Sequence, residues 1–72
     1  MNAARRRIYL RKLKRDWPIG MLVQGRLSVH TTRFTGVVEG YQRHQLVLVR
    51  GSYEKEHGAI LARFTNTELS RL

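Results

Sequence analysis

Seventy-two residues are read as one domain spanning 1–72, and a chain of that length buries too little apolar surface for a wide stability margin without staples or partners. Fourteen lysines and arginines against five acids leave a net charge of +9, and the lack of cysteine excludes disulfides and cysteine-type zinc or redox sites. A polyanion is the natural partner for that charge. No apolar run approaches the roughly 20 residues that cross a bilayer, and the basic N-terminus is not followed by the apolar core of a signal peptide, so a cytoplasmic protein working away from membranes is expected.

Residues 2–16 carry Arg5, Arg6, Arg7, Arg11, Lys12, Lys14 and Arg15, half of the basic residues. Helix is predicted over 1–17. Asn2 can cap it, the composition favours helix, and Leu10, Leu13 and Trp17 recur at helical spacing, with Tyr9 four before Leu13. One narrow apolar stripe then faces the body and the remainder is cationic. Like charges such as Arg7 and Arg11 oppose the helix by a few tenths of a kcal/mol per pair, which a phosphate backbone would screen. Pro18 and Gly20 end the helix near Asp16, and Trp17 reads as a plug between helix and body rather than a base-stacking platform.

The body is predicted to occupy 20–72. Met21 to His30 alternates, with Met21, Val23, Leu27 and Val29 on one face, Leu22 as the exception and Gly25 as a bend. Thr31, Thr32 and Arg33 turn the chain into a β-hairpin over Phe34–Gly51, reversed at Gln42–Gln45. Gly36 and Gly40 mark a bulge or bend in its first arm. Leu46 to Val49, unbroken and apolar, suits a strand buried on both faces. Gly51–Gly58 reads as a loop or splayed strand ends, and Ala59–Arg63 as a fourth strand. For the last element two readings stand: Thr65 and Glu68 fit a capping box, whereas Thr67, Leu69 and Arg71 alternate as in a strand.

His30, His44 and His57 fall on three elements without ligand spacing, so neither metal nor cofactor is expected. The scattered carboxylates and the lack of a nucleophile motif argue against an enzyme and against a small-molecule substrate.

In that order the elements resemble the Sm/Lsm/Hfq family. Arg33, Phe34, Gly36, Val37, Val38, Gly40, Tyr41 and Gln42, followed by Leu46–Leu48, look like its first motif, and Ile60, Leu61, Arg63 and Asn66 like its second. Gln42 stands where the family usually has aspartate, Phe64 where it has glycine, and the hairpin turn has the shorter Hfq-like spacing. The resemblance implies a mainly β fold, a small, strongly bent five-stranded barrel behind an N-terminal helix, assembled into a homo-oligomeric ring that binds single-stranded RNA. Under it His44 would stack on a base, Gln42 and Asn66 would hydrogen-bond base edges, and Arg63 would hold phosphate or stack. Arg5, Arg6, Arg7, Arg11, Lys12, Lys14, Arg15 and Arg43 would hold the phosphate backbone. The simpler structural roles are an Arg63–Glu39 ion pair and Asn66 as a cap. DNA is the alternative nucleic acid. The alternative architectures are a monomeric SH3- or KOW-like module on nucleic acid or a ribonucleoprotein, and a phage or plasmid structural protein.

Overall fold

Helix α1 (Ala3–Asp16) is followed by β1 (Leu22–Gly25), β2 (Phe34–Gln42), β3 (Leu46–Tyr53), β4 (Ile60–Phe64), a 3₁₀ turn (Asn66–Glu68) and β5 (Leu69–Arg71) in the computed structural model. It describes residues 3–26, 32–43, 45–56 and 58–72. The cap at Asn2, the second half of the strand expected to reach His30, and all three histidines lie outside them.

The five strands form one antiparallel sheet in the order β4-β3-β2-β1-β5. The hairpin is its centre, as the alternation of β2 requires: Phe34, Gly36 and Val38 are buried while Thr35, Val37 and Glu39 are exposed. The expected bulge falls between Val38 and Gly40, where Glu39 has no opposite residue and the strand bends. Gly36 has a different use. It lies opposite Gly51 on β3, and a Cβ on either would collide with carbonyl oxygens of the facing strand, so two bare backbones pass where side chains would not fit.

Inward-facing Val23, Phe34, Val38, Val47, Val49 and Phe64 are at most 1% exposed and form the core, with Leu13, Trp17 and Leu69 at its margin. The sheet curls until Phe64 on β4 reaches Gly25 on β1, where an added Cβ would come within 2.6 Å of the ring. Phe34 meets Phe64 at 5.3 Å between ring centroids and Tyr53 edge-on at 5.1 Å, so one aromatic cluster spans β2, β3 and β4. Among the described residues β4 pairs only with β3 and β5 only with β1, which leaves one free edge on each.

One expectation changes and two open alternatives are resolved. Leu46–Val49 is enclosed on one face only: Val47 and Val49 are buried, whereas Leu46 and Leu48 face the other side and are half-buried. β3 continues to Tyr53, since Gly51 and Ser52 keep their ladder with β2 and the turn waits until Glu54. The last element is both things the sequence offered. Thr65 starts the 3₁₀ turn, with its N–H and hydroxyl donating to the Glu68 carboxylate at 2.8 and 2.9 Å, and Leu69–Arg71 then pairs with β1.

Candidate nucleic-acid interface

Register brings two turns to one end of the sheet. Gln42 lies opposite Leu46 on β3, and Phe64 lies opposite the next residue, Val47, so Arg43 and Gln45 of the hairpin turn and the Thr65–Asn66 junction flank Leu46. The Gln45 N–H closes the hairpin turn on the Gln42 carbonyl at 3.2 Å. Helix α1 is laid against this end by its stripe: Leu13 and Trp17 are buried and Leu10 is half-buried. Two latches hold its C-terminus. The Tyr41 hydroxyl donates to the Trp17 carbonyl at 2.7 Å, and Arg71 donates to the Asp16 carbonyl at 3.4 Å with its guanidinium 6.0 Å from the centre of the Trp17 ring. Burial raises the Tyr41 phenol above its ordinary value, keeping it the protonated donor that this contact needs.

Between helix and turns runs a groove of about 280 Å³, lined by Tyr9, Lys12, Leu13 and Asp16 from α1 and by Gln45, Thr65 and Asn66 from the two turns. Leu13 is its apolar part. Tyr9, about half exposed, offers a ring, Gln45 and Asn66 offer amides, and Lys12 is a cation with no carboxylate partner among the described residues. Asp16 is the one acid in the lining and makes a 3.3 Å contact to Arg15. A flat ring, two groups that both donate and accept, and a cation are what an unstacked base with its phosphate requires.

Of the base-contacting residues expected from sequence, Asn66 lines the groove. Gln42 closes β2, half-buried, and its side-chain oxygen is enclosed with no hydrogen-bond partner among the described residues. Arg63 is exposed beside Leu48 on the outward face of β4, and Glu39 is engaged by Arg50 at 2.7 Å rather than by Arg63. That bond and the facing charge raise the Arg50 guanidinium still further above its ordinary value. His44 lies outside the described residues. Among the phosphate candidates, Arg5, Arg6 and Arg7 lie on α1, and Arg11, Lys12, Lys14 and Arg15 are exposed along it. Arg43 is exposed at the hairpin turn with φ 52°, a left-handed conformation uncommon outside glycine.

Sequence reasoning missed Tyr9, Asp16 and Gln45 as groove residues and took Lys12 only as part of a cationic tail. The signal was present: 9, 12, 13 and 16 are spaced i, i+3, i+4 and i+7, one helix face, and that face mixes a ring, a cation and an acid with a single leucine. Among the described residues no three histidines, cysteines or acids gather as metal ligands, and no helix is long and apolar enough to cross a membrane. Comparison with known protein families, with curated proteins and with solved structures finds no match for this chain.

Proposed function

We propose that this chain binds single-stranded RNA as an Sm-like homo-oligomer, a binding protein rather than an enzyme, with one base entering the groove under α1 and the helix cations following the phosphate backbone. The groove carries the reading, because it joins a ring, amides and a lysine with no carboxylate partner among the described residues, along the helix that concentrates the positive charge. The edges of β4 and β5 that pair with no other described strand support self-assembly: an unpaired edge is a template for another strand, and pairing β4 of one copy with β5 of the next covers both. Ile60 and Leu61, exposed on opposite faces of the β4 edge, would then be shielded from water as well.

Two measurements test this. Sedimentation at micromolar protein is expected to give a multiple of the 8.5 kDa chain, and a stable single-chain mass overturns the assembly. Anisotropy of a labelled oligouridylate is expected to show binding that weakens with salt. Neutralising Arg5, Arg6 and Arg7 should then lower the salt slope by about 0.7 for each phosphate that no longer has a cation beside it. No binding at low salt overturns the RNA reading.

A further inference from the structure

Asp16 is out of place twice. It ends α1, where the helix dipole disfavours an anion, and it lines a groove in a chain of net charge +9 whose expected ligand is itself an anion. A carboxylate there repels phosphate and can only accept hydrogen bonds, so its partner must present N–H or O–H donors, and among the bases these are N–H. Its contact with Arg15 is long and the two side chains are 73% and 36% exposed, a weak surface pair. Most of the carboxylate's lone-pair capacity is therefore left for a ligand. Uracil offers one N–H between two carbonyls, and adenine and cytosine each place a ring-nitrogen acceptor beside their amino group. Only guanine presents two adjacent donors, N1–H and the 2-amino group, which match the two carboxylate oxygens.

We infer that the groove selects guanine, with Asp16 accepting from N1–H and the 2-amino group while Tyr9 stacks on the base, Gln45 and Asn66 meet its O6 and N7 edge, and Lys12 takes the adjoining phosphate. The inference rests on the groove as the base-binding site and adds the identity of the base. At about 280 Å³ the groove falls just under the usual size range of small-molecule sites, roughly 300–1,000 Å³, in keeping with one base rather than two.

The test uses labelled octauridylates carrying one central guanine, hypoxanthine or adenine, the hypoxanthine differing from guanine only by the missing 2-amino group. Wild-type protein is expected to bind the guanine oligomer about ten-fold more tightly than the other two and than octauridylate itself. Asp16→Asn is expected to erase that preference, so that the guanine and hypoxanthine oligomers bind it alike, and to hold octauridylate more tightly than wild type does because a charge that repels phosphate is gone. Equal affinity for the guanine and hypoxanthine oligomers, or a guanine preference that survives Asp16→Asn, overturns the selectivity and leaves RNA binding standing. No binding of any oligomer overturns both.

Discussion

The curled sheet and the helix-covered end of the same chain are built on opposite rules. Inside the sheet every side chain of the central six is aliphatic or aromatic and almost wholly buried, and where backbones cross at Gly36 and Gly51 there is no room for a methyl group. Under α1 a ring, a lysine, an acid and two amides share a space with one leucine, and several stay exposed. A small domain has little apolar area to spare, so polar groups are tolerated only at its margin, beyond the core that keeps it folded. The two regions should therefore fail separately when changed.

The largest separation is expected from Phe64→Ala. Removing the ring that touches Phe34 and Gly25 should cost about 3–5 kcal/mol, enough to unfold much of so small a domain and to abolish RNA binding with the fold, as urea melts followed by circular dichroism would reveal. Tyr9→Ala should do the reverse, weakening oligonucleotide binding by about 1–3 kcal/mol with stability changed by no more than about 0.5 kcal/mol. A Tyr9 variant that melts early without losing affinity would show the ring to be part of the packing.

Tyr41→Phe probes the joint between the regions. Losing the hydrogen bond to Trp17 should cost about 1 kcal/mol and shift the fluorescence of the only tryptophan. The phenol is held above its ordinary value, so its contribution is complete below about pH 10, the unfolded value, and is lost as pH rises through the higher folded value. Wild type should thus loosen in alkali through this group, and Tyr41→Phe should lack that component. The smallest effect belongs to Arg43→Gly, which relieves a left-handed arginine and should raise stability by up to about 1 kcal/mol while lowering the salt slope by the share of one cation.

The sheet was largely readable because its signals are local: period-two burial in β2, a polar reversal at Gln42–Gln45, and an apolar run in β3. The bulge beside Gly40 was readable for the same reason. What glycine was doing at Gly36 was not, since the reason is a carbonyl on the facing strand, far along the chain at Arg50. The last element left two patterns open because both are used, the box at Thr65 and Glu68 for a single turn and the alternation for β5. The groove was the hardest to foresee. Asn66 was singled out, but its neighbours Tyr9, Lys12 and Asp16 come from a helix whose docking depends on Tyr41 and Arg71, whose bonds to it span 24 and 55 residues of sequence.

Under the proposed function that docking also decides which surface would meet RNA, and amide chemical-shift mapping with a short single-stranded oligonucleotide addresses it directly. The account predicts saturable shifts concentrated at Tyr9, Lys12, Gln45 and Asn66, continuing along the exposed cations of α1, with Val37, Arg50 and Leu61 on the outward face of the sheet unmoved. Shifts centred on that outward face, with the groove residues silent, would contradict it.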